Sequence, residues 1–229
     1  MRDFPQPANH LRTRIKICGI TRVEDGLAAA QAGADAIGLV FWPGTPRVVA
    51  FDRARAIADV IPPFVSLVGL FVDPSVTDVE AALAAVPLDL LQFHGAETPA
   101  FCAAFAKPWL KAIHVGAQTD LVECALRYQG ASGLLFDTFS PGDLPGGTGK
   151  SFDWMLLRNT LGNRVATPLV LSGGLDPENV AAAISAVHPW AVDVSSGVEA
   201  RDEQGRPLKG IKDAARIAAF VAGVRNADG

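Results

Sequence analysis

In four short apolar runs of this chain, polar side chains fall on alternate positions, so an extended strand would put them on one face. "RIKIC" (14–18) sets Lys16 and Cys18 against Ile15 and Ile17, and "LLQFHG" (90–95) sets Gln92 and His94 against Leu91 and Phe93. "GLLFDT" (133–138) opposes Asp137 to Phe136, and "AVDVSS" (191–196) opposes Asp193 and Ser195 to Val192 and Val194. If the aliphatic faces pack on helices, these polar groups all point into one interior. A buried charge is costly unless paired, so the convergence means either a balanced ion network or a working site.

Each residue has a functional and a structural reading. Cys18 is either a small buried hydrophobe or a thiolate favoured by the neighbouring Lys16 ammonium. Asp137 ends its apolar run as a proton donor or ligand contact, or else as a cap on the loop that follows. Asp193 could serve a ligand or pair with Lys16 in a purely structural bridge. Arg47, in the proline-rich "FWPGTPR" (41–47), suits bidentate capture of a carboxylate, or is a solvated loop arginine. His94 is a site group or a satisfied core histidine. Cys102 and Cys124 are expected to be core or inert, His10, His114 and His188 to carry no chemistry, and Lys150 and Lys212 to lie on the surface.

The elements that would position these groups are eight β-rich runs, each followed by an alanine-rich segment of helical pattern. The runs span 14–18, 36–42, 67–73, 88–95, 109–115, 133–138, 168–174 and 191–197. Helices are expected to begin near Val23, Asp52, Ser75, Ala96, Thr119, Phe152, Asp176 and Ile211, several behind a capping residue. Alternating strands and helices imply parallel pairing with right-handed crossovers, and eight units in 229 residues imply an α/β fold, the closed (β/α)8 or TIM barrel, as a single domain. An open doubly wound sheet would carry a phosphate fingerprint after its first strand, and "KICGIT" lacks that spacing. Residues 1–13 are expected to fray outside the barrel of 14–229.

In such a barrel the loops after strands seven and eight commonly hold phosphate. Here those loops are "VLSGGL", with Gly173 and Gly174, and "VSSGVE", with Ser195, Ser196 and Gly197. A phosphorylated small molecule is therefore the expected ligand, with simple tight turns as the alternative. "LPGGTGK" (144–150) resembles an ATP phosphate loop but fails its spacing, because Leu144 stands where the first glycine must be.

A net charge of -4 with no basic run argues against nucleic acid or an anionic membrane. No apolar stretch is long enough to span a bilayer, and three cysteines without paired or metal-type spacing suit a reducing cytoplasm without zinc or disulfides.

Taken in order, "KICGIT", "FWPGTPR", "LVGLFVD", "LLQFHG", "LLFDT" followed by "GGTGKSFDW", "LSGGL" and "DVSSGVE" resemble the phosphoribosylanthranilate isomerase family of tryptophan biosynthesis from about Arg14 onward. The resemblance implies a barrel catalysing an Amadori rearrangement of N-(5-phosphoribosyl)anthranilate, with neither metal nor organic cofactor. It implies Cys18 as general base, Asp137 as general acid, and Arg47 on the anthranilate carboxylate. Asp193 and His94 would be further substrate contacts, with phosphate on Gly173, Gly174, Ser195, Ser196 and Gly197. The loop with Gly146, Gly147 and Gly149 would fold over bound substrate, and the chain would be a monomer or homodimer. Two departures stand out, the N-terminal extension and the polar connection "ARDEQGRPLKGIKD" (200–213).

Two other functions stay open. The related aminoaldose isomerisation of histidine biosynthesis would want an aspartate where this chain has Cys18. A phosphosugar sensor would need no acid and base, so Cys18 and Asp137 together argue against it.

Overall fold

The computed structural model describes residues 12–116, 118–138, 154–161 and 166–229. Its centre is a closed barrel of eight parallel strands: β1 (Arg14–Cys18), β2 (Ala36–Val40), β3 (Ser66–Phe71), β4 (Leu90–Phe93), β5 (Trp109–Val115), β6 (Gly133–Thr138), β7 (Leu169–Leu171) and β8 (Ala191–Val194). The barrel closes where β1 pairs with β8, with Lys16 beside Asp193 in register. Helices α1 (Val23–Ala32), α2 (Phe51–Ala58), α3 (Val76–Ala85), α4 (Pro99–Cys102), α5 (Leu121–Arg127), α6 (Met155–Thr160), α7 (Val180–Val187) and α8 (Ala214–Asp228) follow the strands in turn.

The two faces of each strand meet different partners. Outward-facing Ile15, Ile17, Ile37, Leu39, Leu91 and Val192 join the main core between barrel and helices. A row of aromatic rings runs behind β2 to β4, with Phe41 and Phe71 centred 5.4 Å apart, Phe71 and Phe93 6.1 Å, and Phe93 and Phe105 6.0 Å. Anchoring Phe93 outward forces Gln92 and His94 inward, because side chains alternate along a strand. Deep inside, Ala112, Leu135, Val170 and Ala191 form a compact plug. The barrel is therefore packed at its base and can open only at its mouth.

Most strand boundaries agree with the sequence reading to within two or three residues, and the helix starts differ for local reasons. Helix α4 starts at Pro99 instead of Ala96 because the Thr98 hydroxyl accepts the Phe101 amide and caps the turn there. Asp176 does not open α7; its carboxylate accepts the amides of Glu178 and Asn179, making a turn of its own before Val180. The expected start at Phe152 lies outside the described residues. So does the loop of Gly146, Gly147 and Gly149.

The polar connection near the C-terminus is an antiparallel hairpin, β9 (Glu199–Arg201) with β10 (Pro207–Lys212). Ile211 thus belongs to a strand, and α8 begins after Asp213, whose side chain accepts the amides of Ala215 and Arg216. Residues 12 and 13, expected to fray, are engaged: the Arg12 guanidinium pairs with Asp35, and the buried Thr13 donates its amide and hydroxyl to Asp228 at 2.7 Å each. No described helix is long and apolar enough to cross a membrane.

Candidate active site

At the C-terminal ends of the strands lies a cleft lined by Cys18, Arg47, Gln92, His94, Asp137, Asp193 and Ser195, with Ser172 and Thr45 beside them. All the residues that alternation assigned to the interior, apart from Lys16 beneath, line this one cavity. Its opposite wall is apolar, with Val40, Leu70 and Trp42 packed beside the Cys18 thiol.

Cys18 sits on β1 where the neighbouring strand makes room for it. Gly38 on β2 is its register partner, and a methyl group there would stand 2.7 Å from the Cys18 sulfur. Gly38 was not singled out from sequence, although a lone glycine inside a strand is a signal of such close approach. Below the thiol, the Lys16 ammonium donates to Asp193 at 2.8 Å, both side chains being buried. Burial pushes the Cys18 thiol above its ordinary range; Lys16 pulls it down and Asp193 pushes it up again. Lys16 therefore favours the thiolate as expected but does not prevail over burial, and the balance leans toward the thiol. The same pair holds Lys16 firmly protonated, since Asp193 and Cys18 outweigh the cost of its burial.

Asp137 ends β6 and faces β4. Its Oδ1 accepts the Thr138 amide at 2.8 Å, which fixes the carboxyl, while Oδ2 stands 3.3 Å from Nε2 of His94. Gln92 Nε2 lies 3.2 Å from His94 Nδ1; with the amide donating, that nitrogen accepts and the ring proton sits on Nε2, toward Asp137. Among the described residues, Gln92 Oε1 is buried without a hydrogen-bond partner, and His94 Nε2 has its Asp137 contact at 3.3 Å outside hydrogen-bond geometry. Two polar atoms without a hydrogen bond in a cleft otherwise well paired mark where a ligand's own polar groups belong. His114, expected to carry no chemistry, donates its Nε2 proton to the His94 carbonyl at 3.1 Å and is kept below its ordinary pKa, chiefly by burial.

The glycine loops after β7 and β8 sit against this centre. Gly173 and Gly174 have φ of +84° and +67°, and a side chain at Gly173 would strike Thr138 and come within 3.0 Å of Asp137 Oδ1. Gly197 lies against the Leu175 carbonyl with no room for a β-carbon, so the two loops pack as one unit. Ser196 to Val198 form a single 3-10 turn whose leading residues, Ser195 and Ser196, stay partly exposed.

Arg47 is not a solvated loop arginine. It is 8% exposed, its stem lies over Gly19, and its Nε and Nη2 pair with Glu199 at 2.6 and 2.9 Å. Lys212, expected at the surface, is buried, donating to the Ser195 carbonyl at 2.9 Å with Glu199 3.6 Å away. Burial draws its pKa down to about 8, against the pull of Glu199. Neither Glu199 nor Lys212 was given a role from sequence: Lys212 lies in the polar stretch that looked like a solvated connection, and Glu199 was read only as the last residue of "DVSSGVE". Among the described residues no three His, Cys, Asp or Glu side chains converge as a metal site.

Known proteins share this sequence and this fold. Residues 15–223 match the family model for N-(5'-phosphoribosyl)anthranilate isomerase. The isomerase of Thiobacillus denitrificans is 55% identical over 212 residues, covering 93% of this chain and 98% of that one. That of Pseudomonas aeruginosa strain LESB58 is 56% identical over 213 residues, covering 93% and 95%. Among solved structures, the Thermotoga maritima enzyme superposes with a TM-score of 0.83 at 41% identity, covering 93% of this chain and 99% of that one. A second phosphoribosylanthranilate isomerase, in complex with reduced 1-(o-carboxyphenylamino)-1-deoxyribulose 5-phosphate, superposes with a TM-score of 0.80 at 39% identity, with the same coverage. With the barrel, the cleft and matches along nearly its whole length in agreement, this chain belongs to the N-(5'-phosphoribosyl)anthranilate isomerase family.

Proposed function

We propose that the family's reaction, the Amadori rearrangement of N-(5-phosphoribosyl)anthranilate to 1-(2-carboxyphenylamino)-1-deoxyribulose 5-phosphate, is divided here between Asp137 as general acid and Cys18 as general base. The observation that carries this division is that one cleft holds both groups, on β6 and β1, with an apolar wall beside the sulfur. Asp137 gives a proton to the ribose ring oxygen as the C1' bond to it breaks, leaving a protonated imine. That cation acidifies C2', the Cys18 thiolate removes the C2' proton, and the enolamine formed tautomerises to the ketone. One proton enters the substrate and one leaves it, so the intermediate returns to neutrality.

The remaining groups hold the substrate. The Arg47 guanidinium takes the anthranilate carboxylate, and Trp42, Val40 and Leu70 supply the apolar surface an aromatic ring needs. His94, Gln92 and Asp193 face the sugar hydroxyls, the first two with polar atoms that lack hydrogen bonds in the described structure. Phosphate lies on the amides and hydroxyls of Gly173, Gly174, Ser195, Ser196 and Gly197. The ligand in the related solved complex carries this same pairing of carboxylate and phosphate, which supports a cleft with two anionic ends. The glycine loop of Gly146, Gly147 and Gly149 covers the bound substrate. The chain works in the cytoplasm, where its three free cysteines stay reduced, as a monomer or homodimer that sedimentation would tell apart.

The test follows loss of N-(5-phosphoribosyl)anthranilate fluorescence with wild type, Cys18→Ser and Asp137→Asn. Each variant should stay folded and lose roughly 10²–10⁴-fold in kcat. A folded Asp137→Asn enzyme with near wild-type turnover would remove Asp137 from the acid role.

A further inference from the structure

Glu199 is a heavily engaged carboxylate, and the division of labour above gives it nothing to do. Its side chain is fully buried. It accepts from Arg47 Nε and Nη2, from the Gly210 amide at 2.8 Å, and stands 3.6 Å from the Lys212 ammonium. These partners hold the carboxyl below its usual range although burial alone would raise it. All of them except Arg47 belong to the hairpin of β9 and β10, so the hairpin is a mount built around one anion.

The geometry points to Glu199 as the positioning residue that aims Arg47 at the substrate carboxylate, and hence as the residue through which the β9–β10 hairpin sets preference for a carboxylated amine. This rests on the reading of Arg47 as the carboxylate contact. A guanidinium presents two forked edges, and the Glu199 pairing uses the Nε–Nη2 edge, which leaves Nη1 outside that pairing on a side chain that lines the cleft. Arg47 approaches across 152 positions of sequence from the loop after β2, and its stem crosses Gly19, which has φ of +74° and no β-carbon to obstruct it. Without Glu199, the nearest carboxylates in the cleft are Asp193 and Asp137, and a released guanidinium would be drawn to them. Lys212 offsets the charge: with it, the buried cluster keeps a net positive sign beside Ser195, so anchoring Arg47 does not neutralise the end of the cleft that receives an anion.

The test compares kcat/KM for N-(5-phosphoribosyl)anthranilate with that for N-(5-phosphoribosyl)aniline, which lacks the carboxylate, in wild type, Arg47→Met, Glu199→Gln and Glu199→Asp. Glu199→Gln should lower the preference for the carboxylated substrate by roughly 10- to 100-fold, the value of a charge-assisted contact, while turnover of the aniline compound is kept. Glu199→Asp should recover part of it. If Arg47→Met abolishes the preference and Glu199→Gln leaves it intact or raises it, Glu199 has no positioning role although Arg47 keeps its own. If Arg47→Met leaves the preference intact, the Arg47 reading fails and this inference with it. Should Glu199→Gln lose both substrates alike, the double variant Glu199→Gln/Lys212→Met removes a cation with the anion; equal loss there as well makes Glu199 a purely structural residue and overturns the proposal.

Discussion

Two buried lysine–carboxylate pairs sit on opposite faces of this barrel. Inside, Lys16 on β1 meets Asp193 on β8 at 2.8 Å beneath the Cys18 thiol. Outside, Lys111 on β5 meets Glu97 at 3.0 Å and also donates to the carbonyls of Gly95 at 2.6 Å and Phe93 at 3.2 Å. Glu97 in turn accepts the amides of Asp73 and Gly95, and Tyr128 donates to its carbonyl. The outer pair is saturated with loop backbone and ties the loops after β3 and β4 to each other. The inner pair keeps its electrostatic influence on Cys18. Residue type and burial are alike in the two pairs, and the face of the strand decides whether the pair serves the fold or the chemistry.

The largest effect that could break this contrast is on the outer pair. Lys111→Met leaves a buried carboxylate and several carbonyls without their donor, and should cost about 3–5 kcal/mol in urea unfolding with kcat/KM of the folded fraction unchanged. A large loss of kcat/KM at undiminished stability would erase the distinction.

Two strand glycines give a matched pair on the same two faces. Gly38→Ala points its methyl at the Cys18 sulfur, and a displacement on the order of 1 Å should cost roughly 10²-fold in kcat. Gly69→Ala on β3 points outward at the Leu88 side chain, 2.6 Å away, and should cost about 1–3 kcal/mol of stability while sparing turnover. The contrast fails if Gly69→Ala silences a stable enzyme.

Lys16→Met removes the one neighbour that strongly draws Cys18 toward the thiolate and leaves Asp193 to oppose it. The pH at which the thiol becomes alkylatable, and the rise of kcat/KM with pH, should both move upward. Each unit of that movement is about a tenfold loss of thiolate at neutral pH. An unmoved alkylation profile would mean that burial alone sets the Cys18 proton.

Lys212 gives the smallest effect. Unfolded, it keeps its proton up to the ordinary 10.5, but folded only up to about 8. Between those values the unfolded chain binds more protons, so this residue makes stability rise with pH across that window and weighs against folding below it. The wild-type melting temperature minus that of Lys212→Met should increase from pH 8 to pH 10; a flat difference would show that the amine is not held neutral.

Much of this was legible beforehand because alternation in a strand is a strict rule. Phe136 outward requires Asp137 inward, and the same logic fixed Cys18, His94 and Asp193. The Lys16–Asp193 pair was one of two readings open for Asp193, and the structure shows it formed. What the sequence could not reveal is the balance of burial against charge at Cys18, which depends on depth. The hairpin was missed for a related reason: "ARDEQGRPLKGIKD" has the polarity of a solvated connection, while its buried members, Gly210 and Lys212, gather around Glu199 just before that stretch, which Arg47 reaches from the loop after β2. Helix starts failed where a local turn competed, as at Asp176.

The closure of the barrel also has a bearing on the order of synthesis. Lys16 and Asp193 are 177 positions apart, and Arg47 and Glu199 152. At about 5–20 residues per second, roughly 10–35 s pass on the ribosome between the appearance of Lys16 and that of Asp193. Throughout that interval the nascent chain already contains Cys18, with neither Asp193 nor the eighth strand yet made. Assembly of the candidate site is therefore a nearly final event of folding. A polypeptide interrupted before β8 would contain most of the helices and strands and yet leave Lys16 without Asp193 beneath the Cys18 thiol.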